Sequence, residues 1–326
     1  MCTALAWNNG SFYFGRNMDL EYHFGEQAVI VPRGYPISFQ KEKTIPAGHY
    51  AMVGMAAVTD RYPLFAEAGN EKGLCAAGLN FPGYAFQEKD AADGKYNITA
   101  YEVIPWLLAQ CQSVEEAKGL LSRARIVAIP FQSSLPLPTL HFMVSDQHSS
   151  IVFEYTREGG RIFENPFGVM TNSPTFDFHL ANLANYINCT PAYPKNSFAS
   201  HHALSPLGVG AGGFGIPGDV STTSRFVRAV FHKLNSVCGP SRDESLAHFF
   251  HILDSVAMLK GSSLTQNGDV DLTLYSSCID TSEFVYYYKT YGNSQLSAVH
   301  ANRVDLNVKD IFCYPLREKQ SVYDVN

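Results

Sequence analysis

Blocks of strand-like sequence alternate with blocks of helix-like sequence along this 326-residue chain. Short apolar segments dominate the first 80 residues, and helical patterns follow at 99–110 and 113–123. Strands return between 140 and 155, helices between 221 and 258, and strands again between 272 and 299. This order separates mostly antiparallel sheets from layers of helices. Because no stretch has the composition of a linker, we predict a single α+β domain over residues 1–326.

The first two strand segments, 2–8 and 11–16, are joined by Asn8-Asn9-Gly10, a composition that favours a tight hairpin turn. The hairpin would bring Arg16 and Asp19 back to Cys2 at the start of the first strand. If Met1 is removed, Cys2 carries both a thiol nucleophile and an α-amine that can act as its base. A neighbouring cation would favour the thiolate, and a carboxylate would hold the ammonium. The alternative for the Arg16 and Asp19 pair is an ion pair at the surface.

Composition excludes several classes of protein. Hydrophobic residues make up 46% of the chain and charged residues 17%, which is typical of a compact, well-filled core. The net charge is -6 and no run of Lys or Arg occurs, so we expect no nucleic-acid binding. No apolar stretch approaches the length of a membrane span, so we expect no membrane insertion. The 7 cysteines lack the spacing of a metal site, and no signal-peptide pattern is present. We therefore expect reduced thiols in a cytoplasmic protein.

Three apolar stretches are predicted to be loops around a binding site. Stretches 20–24 and 58–65 are aromatic and broken by Gly25 and Pro63, and 129–138 contains three prolines. Exposed apolar loop residues often mark a binding surface, although they also pack beneath their own loops. The candidate binding residues are Leu20, Phe24, Tyr62, Phe65, Phe131 and Leu137.

Two asparagines and one arginine lie at the ends of predicted elements. Asn80 ends a strand just before Pro82-Gly83, and Asn172 is followed by Ser173-Pro174. Arg225 falls in the first turn of the helix predicted at 221–237. Each asparagine could instead cap a turn, and Arg225 could instead pair with Asp219.

The segment 188–220 is rich in Gly, Pro, Ser and His and has no periodicity. Residues 208–213 match the GxGxxG pattern, but no strand precedes them and Pro217-Gly218 interrupts the following helix, so a dinucleotide site is rejected. His201-His202 has no further ligands at metal spacing and is interpreted as a solvated loop. A stretch of this length without its own structure usually has a function, and we predict that it assembles subunits.

Five motifs resemble the choloylglycine hydrolase family, specifically the conjugated bile salt hydrolases. They are MCTAL, YFGRNMD, NEKGLCAAGLNFPGY, GVMTNSPTFD and GIPGDVSTTSRFVRA, and the likeness runs from Met1 nearly to the last residue. The resemblance implies the four-layer αββα sandwich of the N-terminal-nucleophile hydrolases. It also implies a homotetramer and a reaction without metal or organic cofactor.

Residue by residue, the resemblance assigns six catalytic positions: Cys2 as nucleophile, Arg16 and Asp19 as supporting charges, Asn80 and Asn172 as oxyanion-site asparagines, and Arg225 as a further cation. The implied reaction cleaves the amide of glycine- or taurine-conjugated bile acids through a thioester on Cys2. Penicillin V acylase is the alternative, and it typically has Tyr at the position that matches Asn80. A non-catalytic protein that binds sterols or acyl chains is a second alternative, and the intact catalytic positions disfavour it.

Overall fold

The computed structural model of the protein describes residues 1–45 and 47–326, and its elements are numbered in chain order. The strands are β1 (Cys2–Asn9), β2 (Ser11–Leu20), β3 (Glu26–Val31), β4 (Met52–Thr59), β5 (Tyr62–Asn70), β6 (Cys75–Asn80), β7 (Tyr96–Ile98), β8 (Ala124–Ile126), β9 (Leu140–Ser145), β10 (Ser150–Thr156), β11 (Gly159–Glu164), β12 (Val169–Met170), β13 (Ser263–Leu264), β14 (Val270–Asp280), β15 (Val285–Thr290), β16 (Asn293–His300) and β17 (Phe312–Pro315). The α-helices are α1 (Val103–Gln110), α2 (Val114–Leu121), α3 (Phe176–Asn182), α4 (Thr222–Asn235) and α5 (Arg242–Asp254).

Two large antiparallel sheets form the centre of the molecule. The 7-stranded sheet has the order β12-β1-β2-β14-β15-β16, with β13 beside β14, and the 8-stranded sheet has the order β11-β10-β9-β6-β5-β4-β3-β17. Helices α4 and α5 pack on the first sheet, and α1 and α2 pack on the second. The layers therefore follow the order helix, sheet, sheet, helix, which confirms the predicted αββα sandwich.

Two apolar cores fill the spaces between these layers. One contains Cys2, Phe14 and Tyr275 together with residues of α4 and α5, and the other lies between the 8-stranded sheet and helices α1 and α2. Nonpolar burial on both faces of each sheet supplies most of the driving force for stacking the layers. The face of the sheet to which a side chain points therefore decides whether it lies in the core that contains Cys2.

The predicted hairpin of β1 and β2 is confirmed. Gly10 has a φ of 75° at the turn, a conformation that suits glycine. The register pairs Cys2 with Met18 and Ala4 with Arg16, which brings the supporting charges back beside Cys2. Gly15 lets β2 approach β14 closely, because a Cβ at this position would lie 1.9 Å from the carbonyl oxygen of Ser277.

The loop predicted at 58–65 is wrong, because most of it is a strand hairpin. Strand β4 continues to Thr59 and β5 begins at Tyr62, with Asp60 and Arg61 turning at positive φ. Pro63 pairs with Val58 of β4. On its other side β5 pairs with β6 over Glu67–Gly69, and Pro63 lies outside that paired part. The missing N–H of the proline therefore interrupts no second ladder, which explains why the strand tolerates it.

The other loop predictions agree with the structure. Residues 129–138 contain no helix or strand, and the loop after Leu20 runs to Gly25. Within 188–220 the regular structure is one turn of 3-10 helix at Ala211–Gly213. Helix α2 begins after Ser113, whose Oγ accepts a hydrogen bond from the Glu116 amide. No α-helix in residues 1–45 and 47–326 is long and apolar enough to cross a membrane.

Candidate active site

Cys2 lies at the start of β1, with β2 on one side and β12 on the other, and only 2% of its surface is exposed. Its backbone N–H donates to Asn172 Oδ1 at 2.7 Å, and its carbonyl accepts a hydrogen bond from Arg225 Nη1 at 2.5 Å. The thiol sulfur is 3.9 Å from Met18 Sδ. While Met1 is attached, the nitrogen of Cys2 is an amide and cannot accept a proton. Removal of Met1 would turn this nitrogen into an amine, at a position already held by the hydrogen bond to Asn172.

Asn172 links three parts of the site through its side-chain amide. Its Oδ1 accepts from the Cys2 nitrogen and also from Arg225 Nη2 at 2.9 Å, and its Nδ2 donates to the Asn80 carbonyl oxygen at 2.7 Å. The main-chain N–H donates to Thr222 Oγ1 at 3.0 Å. One of the two side-chain N–H groups is thus already used. These contacts indicate that Asn172 orients the Cys2 nitrogen. This role is additional to the oxyanion role predicted from the sequence.

Asn80 ends β6, as predicted, and is half-buried. Its Oδ1 accepts a hydrogen bond from Thr139 Oγ1 at 2.6 Å, and its backbone oxygen accepts from Asn172. Because Thr139 occupies the oxygen of this carboxamide, the Nδ2 group is the part that can donate to a reacting carbonyl. The two asparagines are therefore connected, although Asn80 lies on the 8-stranded sheet and Asn172 lies beyond the end of β12.

Arg225 is completely buried beneath Cys2. Besides the Cys2 carbonyl and Asn172, its guanidinium donates to Thr3 Oγ1 at 2.7 Å and to the Val220 carbonyl at 3.0 Å. Burial lowers the pKa of Arg225, whereas attraction to nearby carboxylates raises it. A planar guanidinium with several fixed donors suits this position better than a flexible ammonium would.

Asp19 is the buried carboxylate that faces Arg225, with Oδ2 at 3.8 Å from Nη1. Its Oδ1 accepts from Thr273 Oγ1 at 2.6 Å, and its Oδ2 has no hydrogen-bond partner among residues 1–45 and 47–326. Burial raises the pKa of Asp19, and the charge of Arg225 opposes that shift. Asp219 bonds to Ser224 instead, so the alternative pairing of Arg225 with Asp219 is not formed.

Arg16 is also fully buried, on the opposite side of Cys2. Its Nη1 donates to the carbonyls of Gly78 at 2.6 Å and Ala66 at 3.2 Å, so the second sheet holds the guanidinium in place. Burial opposes the charge, but attraction to Cys2, Tyr275 and Glu67 raises the pKa of Arg16 above its ordinary value. Arg16 therefore stays charged.

Glu67 is a buried carboxylate that the sequence analysis missed. Its Oε1 accepts from Tyr286 OH at 2.6 Å and Ser277 Oγ at 2.9 Å, and its Oε2 accepts from Tyr275 OH at 2.9 Å. Oε2 also lies 3.8 Å from Arg16 Nε. Burial raises the pKa of Glu67, while Arg16 and the three hydroxyl donors oppose that rise. The signal available in the sequence was that Glu67 is the one charged residue in the strand Tyr62–Asn70.

The predicted apolar binding residues divide between the two cores. Leu20 and Phe24 pack against the core that contains Cys2, whereas Tyr62 and Phe65 pack in the core beneath α1 and α2. A β-bulge explains the position of Phe65. Met55 pairs with Glu67 and Ala56 pairs with Phe65, so Ala66 is an extra residue, and the side chains of Phe65 and Glu67 point to opposite faces of the sheet.

Phe65 therefore lies on strand β5 in the core beneath α1 and α2, and the structure does not bring it to Cys2. The Phe131 ring lies 5.7 Å from the Tyr62 ring, and Leu137 is exposed. Contact of these loop residues with a substrate stays a prediction.

The chain is similar to known proteins along almost its whole length. Residues 2–314 match a family described as linear amide C-N hydrolases, choloylglycine hydrolase family. The αββα layers and this match define an amide hydrolase that acts on linear C–N bonds. The chain belongs to the choloylglycine hydrolase family.

Two bacterial relatives match this chain along its full length. The chain is 46% identical to the bile salt hydrolase/transferase of Lactiplantibacillus plantarum and 41% identical to that of Clostridium perfringens, with 100% of each chain covered. It superposes on the C2A mutant of the conjugated bile acid hydrolase from Clostridium perfringens with a TM-score of 0.92 at 40% identity, covering 100% of both chains. A penicillin V acylase from Agrobacterium tumefaciens, at 22% identity and a TM-score of 0.73 over 95% of this chain and 90% of its own, shares the fold.

Proposed function

We propose that the protein is a bile salt hydrolase that cleaves the amide bond of glycine- or taurine-conjugated bile acids. The observation that carries this proposal is the buried arrangement of Asn172, Arg225 and Asp19 around the nitrogen and carbonyl of Cys2. It occurs in a chain 46% identical to a bile salt hydrolase/transferase along its full length. Amide hydrolysis by a cysteine whose own amine is the base needs this surrounding of acceptors and charges.

In the proposed mechanism, loss of Met1 exposes the α-amine of Cys2, which takes the thiol proton. Asn172 Oδ1 at 2.7 Å and the unpartnered Oδ2 of Asp19 accept hydrogen bonds from the ammonium that forms. Arg16, on the other side, stabilises the thiolate. Asp19 and Asn172 thus act on the ammonium of Cys2, and Arg16 acts on its thiolate.

The thiolate then attacks the amide carbonyl, and donors at Asn80 and Asn172 stabilise the oxyanion. The ammonium returns its proton to the leaving nitrogen as the C–N bond breaks, which releases glycine or taurine and leaves an acyl thioester on Cys2. A water molecule, deprotonated by the same amine, opens the thioester and releases the bile acid. Apart from the substrate and this water molecule, groups of the chain itself balance these steps.

The substrate test compares glycine conjugates, taurine conjugates and penicillin V at equal enzyme concentration. A rigid steroid can bury a large apolar area at about 25 cal/mol per Å² with little loss of conformational entropy. We therefore expect kcat/KM for the bile conjugates to exceed that for penicillin V by about 100-fold or more, or about 2.7 kcal/mol of transition-state binding. The assay measures the released amine, with the absence of Met1 verified by mass spectrometry. Comparable values for all three substrates would assign the chain to the acylases instead.

We propose that residues 1–326 act as one hydrolase domain, because segments from both ends of the chain complete each large sheet. Strand β17 pairs with β3 in one sheet, and β14 pairs with β2 in the other. Neither sheet can be divided at a single point of the chain. The 7 cysteines are all free thiols, which supports a reducing compartment, and we propose that the protein works in the cytoplasm.

The segment 188–220 is proposed to assemble a homotetramer. It presents large apolar side chains that are almost fully exposed in a single chain, among them Phe198 at 95%, Leu207 at 106%, Val209 at 102% and Phe214 at 93%. Exposed apolar groups in such a cluster usually mark a contact between proteins, since their hydration is unfavourable. Further copies of the chain are the partners that the resemblance to the family implies.

Light scattering at micromolar concentration tests this assembly. We expect a mass near four times the 36.0 kDa of one chain. Replacing Phe198 and Leu207 together with serine removes apolar contact area and should yield smaller species. The control is Val237→Ser, at an equally exposed apolar residue outside the segment, which should leave the mass unchanged. A monomeric wild-type protein contradicts the proposal.

A further inference from the structure

Asn172 holds the Cys2 nitrogen, yet it belongs to no helix or strand. Strand β12 ends two residues before Asn172, at Met170, and helix α3 begins four residues after it, at Phe176. A segment of this kind has few backbone hydrogen bonds of its own. Something else must therefore fix the carboxamide of Asn172 within the tolerance that catalysis requires.

His141 fixes the carbonyl just before Asn172. This histidine lies on β9 of the other sheet and is 1% exposed. Its Nε2 donates to the Thr171 carbonyl at 2.9 Å, and its Nδ1 lies 3.3 Å from Glu154 Oε1. The Phe81 ring stacks on the imidazole with centroids 4.3 Å apart. The ring orientation is thus determined from both edges and one face.

His179 fixes the carbonyl of Asn172 itself. It lies on α3, is also 1% exposed, and its Nε2 donates to the Asn172 carbonyl at 2.9 Å. The Nδ1 atom has no hydrogen-bond partner among residues 1–45 and 47–326, so the ring is the neutral tautomer with its hydrogen on Nε2. Burial lowers the pKa of His179 to about 4, and the charge of Arg225 acts in the same direction. The donor on Nε2 therefore persists through the neutral pH range.

We propose that His141 and His179 are positioning residues for the reaction, because they hold two consecutive carbonyls and thereby aim the Asn172 side chain at Cys2. Neither ring touches the reacting atoms, and the chain from each ring to the nucleophile runs through the backbone of residues 171 and 172. The inference rests on the proposed use of Cys2 as the nucleophile. It assigns a catalytic purpose to two buried histidines that could otherwise be ordinary core residues.

The test uses glutamine and leucine at each histidine. Glutamine places an N–H close to the position of Nε2, whereas leucine fills the space without a donor. We expect His141→Leu and His179→Leu to lower kcat by roughly 10- to 100-fold while KM changes by less than about threefold. His141→Gln and His179→Gln should regain most of the lost kcat. Equal losses for glutamine and leucine would overturn the inference, as would wild-type kcat in the leucine variants.

A matched control separates positioning from stability. His49 is another buried histidine, with Nε2 at 2.5 Å from the Tyr35 carbonyl and Nδ1 at 2.7 Å from the Tyr50 carbonyl. Its contacts lie outside the Asn172 segment, so His49→Leu should lower the melting temperature but leave kcat at 25 °C unchanged. If His141→Leu does not fold, His141→Asn replaces it: asparagine places its N–H near Nδ1, so the variant should keep the contact to Glu154 and lose kcat, unlike His141→Gln.

A second readout needs no bile salt. The rate at which iodoacetamide alkylates Cys2, located by peptide mass spectrometry, is measured against pH in each folded variant. We expect the curves of the leucine variants at 141 and 179 to be displaced from the wild type, and those of the glutamine and His49→Leu variants to coincide with it. If the wild type fails to hydrolyse conjugates while these displacements occur, the proposed function fails and the positioning role stands. If all the curves coincide, the positioning role is wrong.

Discussion

Replacing Cys2 with alanine is expected to reduce the turnover of conjugated bile salts by about 10⁴-fold or more, because no other group can form the thioester. Cys2→Ser should retain little activity, since a hydroxyl ionises far less readily than a thiol. The loss of one buried sulfur should cost only about 1 kcal/mol of stability, so both variants should fold. Amino-acid release and the thermal midpoint measure the two effects separately. Cys313→Ala is the matched control, because that thiol is exposed and should not affect turnover.

The same mechanism requires a free amine on Cys2. Protein that retains Met1, as shown by intact mass, is expected to be inactive, because the nitrogen that contacts Asn172 Oδ1 is then an amide without basicity. Conversion of such protein to the processed form should restore turnover in proportion to the fraction cleaved. Full activity with Met1 in place would contradict the proposal that one residue supplies both nucleophile and base.

Replacing Glu67 with alanine is expected to destabilise the fold by about 3 to 5 kcal/mol and to reduce activity. The substitution would leave Arg16 as a buried cation without its carboxylate, and three hydroxyl groups would lose their acceptor. Arg16 would then be free to shift relative to Cys2. Glu67→Gln keeps the shape and part of the hydrogen bonding, and should cost less.

Urea unfolding measures this effect, with the slope of the unfolding curve used to verify that the denatured state has not changed. The control is Asp310→Ala, which removes the exposed partner of Arg61 and should leave stability unchanged. Wild-type stability in Glu67→Ala would mean that the buried network around Arg16 contributes nothing to the fold.

Several features of this protein follow from its sequence because they depend on neighbouring residues. The turn at Asn8-Asn9-Gly10 determines the register of β1 and β2, and that register alone places Arg16 and Asp19 beside Cys2. Ser113 precedes α2 for a local reason too, since its side chain caps the first turn of that helix. The motif resemblance supplied the family and the six candidate catalytic positions.

Other features were decided by contacts between distant parts of the chain. The sequence around Pro63 resembles a loop, but the pairing of β4 with β5 makes it a strand. The bulge at Ala66 then sends Phe65 to one core and Glu67 to the other, which no pattern of alternation could indicate. Strand β17 exists only because β3 offers it an edge.

The sequence by itself determined the α+β class and, through its motifs, the family with its order of layers, and it indicated Cys2 as the candidate nucleophile, because motifs and local turns carry that information. Only the tertiary structure decided how side chains from distant parts of the chain contact Cys2. Arg225 is separated from Cys2 by 223 positions, and Asn172 by 170, yet each forms a direct hydrogen bond with it. Buried groups such as Glu67, His141 and His179 acquire their roles from partners that the folded sheets bring within reach, since a buried polar group must find its partner wherever the fold supplies one.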